Sequence, residues 1–338
     1  MNYPYVQKTR EKPISEDQLI LPAFQRNEEI HPQDYIMDDG LMEAVNVALL
    51  MGQPLLLTGA PGSGKTFLAE RIAWELGLLP VLTFTTKTTS QAKDLFYTYD
   101  YMARFHAANI QDDVSSERFI TYHALGEAFI RANPREKVAQ FLPPGYVHEF
   151  SKRSVVLIDE IDKAPRDFPN DILNEIENLS FCIPEIDPNI VISTDAAYAP
   201  LIFITSNSEK LLPRPFLRRC AYYHIDFPDD KILQDIVRRR LQRIPSRMNR
   251  VSPPDDTFIS NAVALFIDIR KRIIEENRPA TAELILWVAA MRELSDKKDP
   301  ITQDPKAVNA AMHVLIKSKQ EKDIALKTYG NGKWIPRT

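Results

Sequence analysis

Apolar and polar positions alternate along the first part of the chain in patterns that predict helices and strands in turn. Residues 40–52 (GLMEAVNVALLMG) repeat apolar positions at helical spacing, and residues 53–58 (QPLLLT) form a compact apolar run that ends before Gly59. Helical spacing returns in residues 66–76 (TFLAERIAWEL), and residues 79–86 (LPVLTFTT) predict a second strand. A strand, a helix and a second strand in this order predict a parallel crossover unit.

Two later apolar runs end in polar residues. They are residues 154–160 (SVVLIDE) and residues 199–207 (APLIFITSN), and each has the composition of a buried strand. Ligands of an open parallel sheet bind outside the carboxyl ends of its strands. We therefore expect Asp159, Glu160 and Asn207 to lie where the chemistry of this protein takes place.

The remaining segments complete a prediction of four regions. A helical but irregular stretch of about 65 residues separates the second and third strands, and residues 181–193 (FCIPEIDPNIVIS) have the pattern of a hairpin. Helical patterns dominate after residues 222–230 (YYHIDFPDD). The predicted fold class is α/β, a parallel-sheet core followed by a smaller all-helical domain. The expected regions are an extended arm at 1–34, the sheet domain at 35–228, the helical domain at 229–325 and a tail at 326–338.

The composition is that of a soluble globular protein. The 338 residues are 44% hydrophobic and 26% charged, and the net charge of −4 argues against a protein devoted to coating nucleic acid. Two cysteines, Cys182 and Cys220, are too few for a disulfide framework or a zinc site and fit a reducing compartment. No apolar segment has the length of a signal-peptide core or a membrane span, so we expect a cytoplasmic protein.

The octet GAPGSGKT fits the pattern of a phosphate-binding loop, and it follows a predicted strand at the head of a predicted helix. Backbone N–H groups near Gly62 and Gly64 can turn inward around phosphate oxygens, Lys65 supplies a positive charge, and the Thr66 hydroxyl is a magnesium ligand. The pattern arises by chance in about one chain of this length in a hundred. The expected nucleotide-binding residues are Gly59, Ala60, Pro61, Gly62, Ser63, Gly64, Lys65, Thr66 and Phe67.

The run VVLIDEID (155–162) predicts the acidic partner of this loop. A buried strand that ends at Asp159 can hold a magnesium ion, normally through water, and Glu160 can polarise a water molecule for attack on the γ-phosphate of ATP. An acidic pair after a strand can instead cap the next helix, but the preceding phosphate loop favours the catalytic interpretation. Glu160 distinguishes a hydrolytic enzyme from a module that only holds nucleotide.

Two adjacent arginines, Arg218 and Arg219, lie in LPRPFLRRC (212–220), and no acidic run is near them in the sequence. Most charged residues are exposed to solvent, so a solvated basic turn is the simplest interpretation of such a pair. The remaining motifs of the chain change that interpretation.

Taken in order, these motifs resemble those of an AAA+ ATPase of the MoxR type. GAPGSGKT resembles Walker A, VVLIDEIDKAPRDFPNDIL resembles Walker B with its following helix, ITSN resembles sensor 1, and LPRPFLRRC resembles the arginine-finger segment. The resemblance covers about residues 33–295. It implies an AAA+ P-loop αβα core with a helical lid, insertions near 87–124 and 181–193, and a ring, commonly a hexamer, with ATP sites between subunits.

The resemblance also assigns roles to residues outside the phosphate loop. Arg219 aligns with the arginine finger that reaches the γ-phosphate in a neighbouring subunit, since a guanidinium suits the charge that develops there. Arg218 would be a second contact in trans or a structural partner. Asn207 would orient the attacking water, although an Asn after a strand equally fits a turn.

Two further assignments lie near the ends of the resemblance. Tyr35 and Ile36, ahead of the first helix, correspond to an adenine pocket. Thr281 stands where many relatives carry the sensor 2 arginine of the lid, so Arg278, three residues earlier, is a candidate to replace it. The alternative for Arg278 is an exposed residue before Pro279.

These observations lead to one favoured function and two alternatives. The resemblance implies a ring that hydrolyses ATP with Mg²⁺ to remodel or activate a protein partner, such as a protein with a von Willebrand factor A domain. A nucleic-acid motor or loader built on the same core is the first alternative. RRRLQR (238–243) and IRKRI (269–273) allow it, whereas the acidic net charge and the lack of an added DNA-binding domain argue against it. A nucleotide switch without turnover is disfavoured by Glu160 and Arg219 together.

Overall fold

The computed structural model describes residues 31–207, 212–244, 255–274 and 277–329. Contacts between Cα atoms divide these residues into two compact units. One unit, called the sheet unit here, runs from Met37 to Phe227. The other, the helical unit, combines the described residues before Met37 with those after Phe227.

The sheet unit is built on a central sheet in the order β2-β5-β8-β1-β9, and every neighbouring pair in it is parallel. Two short antiparallel pairs, β3 with β4 and β6 with β7, lie outside this sheet. The described strands are β1 (Leu55–Gly59), β2 (Leu82–Thr85), β3 (Tyr97–Tyr99), β4 (Ile120–Tyr122), β5 (Val155–Asp159), β6 (Ser180–Ile183), β7 (Asp187–Ser193), β8 (Leu201–Ser206) and β9 (Ala221–Ile225).

Helices complete the sheet unit. Helix α1 begins after the side-chain cap Asp38 and ends at Gly52, whose φ of 63° suits a residue without a Cβ atom. The described helices are α1 (Asp39–Met51), α2 (Lys65–Glu75), α3 (Tyr101–Asn109), α4 (Ala124–Arg131), α5 (Arg135–Val138), α6 (Phe168–Asp171), α7 (Leu173–Asn178) and α8 (Arg214–Leu217). Short 3-10 helices lie at Ala92–Leu95, Ser116–Phe119, Ala139–Phe141, Ile161–Lys163 and Ala196–Tyr198.

The central strands are the core of this unit. Leu56, Val156 and Ile204 come from three adjacent strands, and none of them is exposed to solvent. Strands buried on both faces read as continuous apolar runs, which is why the sequence pattern located them. Parallel pairing also brings the carboxyl ends of the strands to one edge, with Thr58 beside Ser206 in the register of β1 and β8. This edge is where the polar residues after each strand meet.

The insertion after β2 contains an antiparallel pair of strands, β3 with β4, that the sequence pattern did not reveal. Strands β3 and β4 are three residues each, and a strand this short shows no clear alternation of apolar and polar positions. The predicted hairpin at 181–193 is confirmed as β6 and β7. The carboxylate of Glu185, in the turn of that hairpin, accepts hydrogen bonds from Lys93 Nζ at 2.5 Å, Tyr97 Oη at 2.7 Å and Tyr101 Oη at 2.5 Å. Glu185 therefore joins the two insertions.

The helical unit is all-helical in its described residues, as the sequence predicted. Trp287, Phe266 and Phe258 are buried at its centre. One helix ends at Leu315, and the last described helix continues to Tyr329. None of the helices in the described ranges is both long enough and apolar enough to cross a membrane. The helices are α9 (Asp230–Arg243), α10 (Asp256–Arg272), α11 (Thr281–Leu294), α12 (Pro300–Gln303), α13 (Pro305–Leu315) and α14 (Lys319–Tyr329).

Candidate active site

The phosphate loop joins β1 to α2, so residues 59–67 form one loop and the first turn of a helix, as predicted. Gly62 and Gly64 have φ values of 74° and 96°, which residues with a Cβ atom rarely adopt. A Cβ atom at Gly59 would lie 2.4 Å from the carbonyl oxygen of Ile225. The glycines are therefore required by the backbone path, and that path leaves the amino terminus of α2 facing the loop.

Lys65 is buried under this loop, with 7% of its surface exposed. Its Nζ donates to the carbonyl oxygens of Gly59 at 2.8 Å and Ala60 at 3.0 Å. Burial lowers the pKa of Lys65, while the nearby carboxylates of Asp162, Asp159 and Glu160 oppose that shift. The ammonium group is held at the loop by neutral acceptors, so a bound anion could supply the full negative charge that those acceptors lack.

A chain of hydrogen bonds connects this loop to the neighbouring strands. Thr66 Oγ1 donates to Asp159 Oδ1 at 3.0 Å. Thr205 Oγ1, from β8, donates to the same carboxylate oxygen at 2.6 Å. The two predicted magnesium ligands, Thr66 and Asp159, are therefore adjacent, and Thr205 bonds to the same oxygen of Asp159.

Glu160 follows β5 in a left-handed backbone conformation, with φ of 57° and ψ of 47°. Its backbone N–H donates to Thr205 Oγ1 at 2.8 Å, and its carbonyl oxygen accepts a hydrogen bond from Thr86 Oγ1. The left-handed conformation costs about 1–2 kcal/mol for a residue with a Cβ atom. Two hydroxyls, one just after β2 and one in β8, thus hold a strained backbone at the residue with the predicted catalytic role.

The Glu160 carboxylate is paired within the chain. Glu160 Oε2 lies 2.6 Å from Lys163 Nζ, and this hydrogen bond raises the pKa of Lys163. Asn207 lies one residue beyond β8, and its backbone N–H donates to Asp162 Oδ1 at 3.0 Å. Asn207 and Glu160 therefore stand at the ends of adjacent strands, each fixed through its backbone.

The two arginines follow α8, and both are exposed. Arg219 Nε donates to Glu177 Oε2 at 2.8 Å, and Arg219 Nη1 donates to the carbonyl oxygen of Pro215 at 3.3 Å. Arg218 makes no ion pair or hydrogen bond through its side chain within the described part of the chain. The structure therefore distinguishes the two: Arg219 has an acidic partner from α7 that is distant in sequence, and Arg218 faces solvent.

The other predicted nucleotide-binding residues belong to the helical unit. Tyr35 and Ile36 are half-buried, and Tyr35 follows a 3-10 helix at Pro32–Asp34. Arg278 is exposed, and its Nε donates a long hydrogen bond of 3.4 Å to the carbonyl oxygen of Ile273. Their roles toward a nucleotide stay predictions.

Sequence reasoning missed four residues of this site: Thr86, Lys163, Glu177 and Thr205. Thr86 and Thr205 lie at the carboxyl ends of predicted strands, so the rule that singled out Asp159 contained a signal for them. Lys163 and Glu177 carried no comparable signal, because a charged residue in a helix is usually solvated.

The donor set fits a magnesium-bound nucleotide. Thr66 and Asp159 offer oxygen ligands, which Mg²⁺ prefers, and Mg²⁺ usually keeps several water molecules beside one or two protein ligands. Ser63 Oγ is buried and lacks a hydrogen-bond partner among the residues described, so the loop presents an uncommitted hydroxyl. With the buried ammonium of Lys65, these groups match the charge and hydrogen-bonding needs of bound phosphates.

A parallel sheet with a phosphate loop after β1, acidic residues after β5 and a polar residue after β8 defines an AAA+ core, and the predicted fold class is confirmed. More narrowly, residues 54–220 match the family model described as the AAA domain of the dynein-related subfamily. The match lies within the sheet unit and agrees with the AAA+ fold of its core. A comparison with curated protein sequences found no match.

Solved structures similar to this chain include several forms of RuvB from Thermotoga maritima. One form with a single substitution is 17% identical with a TM-score of 0.46, over 86% of this chain and 73% of that chain. A second mutant form is 15% identical with a TM-score of 0.47, over 90% and 75%. The structure described as the RuvB Holliday junction branch migration motor is 19% identical with a TM-score of 0.46, over 86% and 73%.

Proposed function

We propose that this protein is a MoxR-like AAA+ ATPase that hydrolyses ATP with Mg²⁺ in an oligomeric ring, expected to be a hexamer, and thereby remodels or activates a protein partner. The observation that carries the ATPase assignment is the hydrogen-bonded chain from Thr66 through Asp159 and Thr205 to the backbone of Glu160. It joins the nucleotide loop to the residue that would polarise water. A module that only holds nucleotide does not need this connection.

Each residue has a role in this proposal. The loop and Lys65 would bind the phosphates of ATP, and Thr66 and Asp159 would hold Mg²⁺, which would supply positive charge at the phosphate oxygens. The Glu160 carboxylate accepts the proton of the attacking water. Because that carboxylate is paired with Lys163 at 2.6 Å, it must exchange this partner for water when it acts. Asn207 would orient the same water.

The exposure of the arginines supports a site completed by a second copy of the chain. Arg219 is 42% exposed and its partner Glu177 is 55% exposed, so a phosphate group from outside can compete for the guanidinium. A γ-phosphate at the boundary between subunits would take the place of the Glu177 carboxylate. Arg218 remains the second candidate for this contact.

The helical unit favours a protein partner over nucleic acid. Three arginines of RRRLQR and IRKRI pair with acidic residues of their own unit: Arg238 with Asp235 and Asp256, Arg243 with Asp34, and Arg272 with Asp268. The net charge of −4 also argues against a protein whose main partner is nucleic acid. The proposed client is therefore a protein, and the resemblance to MoxR-type ATPases suggests one with a von Willebrand factor A domain.

The test of the ATPase assignment is hydrolysis with and without Mg²⁺. The parent protein should hydrolyse ATP only with the metal, and Lys65→Ala should lose nucleotide affinity. Lys137→Ala is the matched control, since Lys137 is an exposed lysine on the short helix α5. A parent protein that binds Mg²⁺–ATP without releasing phosphate would support the nucleotide-switch alternative and contradict the proposal.

The proposed ring is tested by the dependence of assembly on nucleotide. Light scattering with a slowly hydrolysed ATP analogue should show assembly, because each γ-phosphate adds a contact for the neighbour. A monomer at micromolar protein with and without the analogue would contradict the ring.

Glu160→Gln should retain bound ATP and co-purify with its client, whereas Lys65→Ala should not.

The nucleic-acid alternative is tested by DNA and RNA binding across salt concentrations. Phosphate contacts give a steep salt slope, and such a slope would overturn the choice of a protein client.

A further inference from the structure

The side chain of Thr205 occupies a position that the phosphate-loop motifs do not assign. It lies in β8, next to β5 in the sheet, and 1% of the residue is exposed. Its Oγ1 lies 2.6 Å from Asp159 Oδ1 and 2.8 Å from the backbone nitrogen of Glu160. One hydroxyl thus contacts two consecutive acidic residues, through the side chain of the first and the backbone of the second.

The direction of both hydrogen bonds is fixed by the chemistry of the groups. An ionised carboxylate only accepts, and a backbone N–H only donates. The single proton of Thr205 Oγ1 is therefore donated to Asp159, and a lone pair of the same oxygen accepts the Glu160 N–H. No other proton is left on this oxygen, so the arrangement has one orientation.

This hydroxyl matters because the backbone of Glu160 is in a conformation that a glutamate does not favour, with φ of 57°. The φ value decides the direction in which Cβ leaves the chain, and hence the space that the carboxylate can reach. Thr86 fixes the carbonyl end of Glu160, and Thr205 fixes its N–H end. Without Thr205, the N–H end loses the hydrogen bond that ties it to Asp159.

We infer that Thr205 is a positioning residue for ATP hydrolysis, because its hydroxyl sets the placement of the Glu160 carboxylate relative to the metal ligand Asp159. This inference rests on the proposed function. Thr205 touches neither nucleotide nor water in this role. It acts through Glu160, so its loss should lower kcat and leave ATP affinity nearly intact.

The test begins with two substitutions at this position. Thr205→Val keeps the shape and removes both hydrogen bonds, and kcat should fall about 10- to 100-fold, as expected when a hydrogen bond to a charged group is lost. KM for ATP should stay within about threefold of the parent value, because the contacts that bind ATP equally in the ground state and the transition state are unchanged. Thr205→Ser restores the hydroxyl and should recover most of the rate.

A matched control separates this role from the general cost of removing a buried hydroxyl. Thr58 is also 1% exposed and lies in the adjacent strand β1, but its Oγ1 bonds to Tyr222 Oη and His224 Nδ1 at 2.9 Å. Thr58→Val should lower the melting temperature to a similar extent and leave kcat within about threefold.

The decisive measurement is a double-mutant cycle with Glu160→Gln. If Thr205 acts through Glu160, adding Thr205→Val to Glu160→Gln should reduce the residual rate by less than about twofold. A further drop equal to that in the parent background would overturn the inference, as would a parent-like kcat in Thr205→Val, or a Thr205→Ser protein that melts normally and is as slow as Thr205→Val.

Two additional readouts apply if the variant does not fold or if the parent protein has no ATPase activity. If Thr205→Val does not fold, Thr205→Cys supplies a weak donor of similar size and should give an intermediate kcat. If the parent protein does not hydrolyse ATP, the proposed function fails and the inference is judged by amide hydrogen exchange. Thr205→Val should then speed exchange of the Glu160 amide more than that of the amide at position 205. An equal exchange rate of the Glu160 amide in parent and variant would refute the inference.

Discussion

Two groups of polar side chains in the sheet unit contrast in how they are held. At the end of β5, the hydroxyls of Thr86 and Thr205 are buried and fix the backbone of Glu160. After α8, the guanidinium of Arg219 is held by the Glu177 carboxylate and the carbonyl oxygen of Pro215, and the two charged side chains are 42% and 55% exposed.

The difference suggests a division of roles. A buried hydrogen bond is costly to break because the partner that remains loses its only acceptor or donor. An exposed ion pair contributes about 0–1 kcal/mol, because water solvates both ions once they separate. The buried group therefore suits a fixed geometry, and the exposed pair suits an arginine that changes partners.

Arg219→Ala should lower ATP turnover about a thousandfold, the loss expected when an arginine finger is removed. Because the proposed finger acts in trans, mixing Arg219→Ala with Lys65→Ala should rebuild one complete site at their boundary. Turnover in the mixture, measured by phosphate release, should exceed the sum of the two pure variants and peak at intermediate ratios.

Two controls make this mixing experiment decisive. Arg214→Ala removes an exposed arginine from the neighbouring helix α8 and should retain parent turnover. Subunit exchange is followed with labelled protein. Flat mixtures despite exchange would exclude Arg219 as a finger in trans, and Arg218→Ala would then be tested in the same way.

Glu160→Gln should lower turnover by about 10²- to 10⁴-fold, because the amide cannot accept the proton from water. The affinity for ATP should be retained, and the free energy of unfolding should change by less than about 1 kcal/mol, since the hydroxyls hold the backbone and not the carboxylate. Equilibrium nucleotide binding and urea denaturation measure the two quantities. Glu136→Gln, an exposed carboxylate on α5, is the control, and parent-like turnover in Glu160→Gln would remove its catalytic role.

Thr86→Val should reduce the free energy of unfolding by about 0.5–1.5 kcal/mol, because the carbonyl oxygen of Glu160 loses one donor and keeps the backbone N–H of Lys163. Thr86→Ser keeps the hydroxyl and should lie within about 1 kcal/mol of the parent. Urea denaturation compares the three proteins. Equal stability of Thr86→Val and the parent would contradict the proposed difference between the buried hydroxyls and the exposed Arg219 pair.

The Glu185–Lys93 pair is intermediate in exposure between the buried hydroxyls and the Arg219 pair. The Glu185 side chain is 10% exposed, and that of Lys93 is 38% exposed. Burial alone would raise the pKa of Glu185, but hydrogen bonds from Lys93, Tyr101 and Tyr97 outweigh burial and lower it to about 2. A depressed carboxyl pKa stabilises the fold above the ordinary value of 4.5, and that contribution is lost as the pH falls toward 2. The melting temperature of the parent should fall more steeply across this range than that of Glu185→Gln, and parallel curves would contradict the assignment.

Glu177→Gln should give the smallest effect. Because the pair is exposed, the free energy of unfolding should change by less than about 1 kcal/mol, and the change should shrink as salt is added. Glu175→Gln, two residues earlier in α7, is the comparison on the same helix. A loss above about 2 kcal/mol that persists in high salt would show that the Arg219 pair is as firmly held as the buried hydroxyls.

How far the sequence predicted this site depends on how far apart its residues lie along the chain. The phosphate loop is contiguous, and Asp159 and Glu160 are adjacent, so both motifs could be recognised from the sequence alone. Thr86 is 74 residues from Glu160, and Thr205 is 45 residues from it. Their roles depend on β2 and β8 flanking β5, and strand order cannot be read from local periodicity.

The fold shows the same limit. Strands of the central sheet were predicted because burial on both faces produces continuous apolar runs. The antiparallel pair of β3 and β4 was missed because a strand of three residues is too short to show a period. Glu177 pairs with Arg219 across 42 residues, and nothing near α7 in the sequence marks it as the partner of an arginine.

The left-handed backbone of Glu160 has a consequence for how this position can vary during evolution. At a φ of 57°, glycine would relieve strain of about 1 kcal/mol that any residue with a Cβ atom carries. Selection for stability alone would favour glycine here, and selection for turnover would retain glutamate. The two pressures oppose each other at one residue, so a chain of this lineage that no longer needed to hydrolyse ATP would gain stability by losing this side chain first.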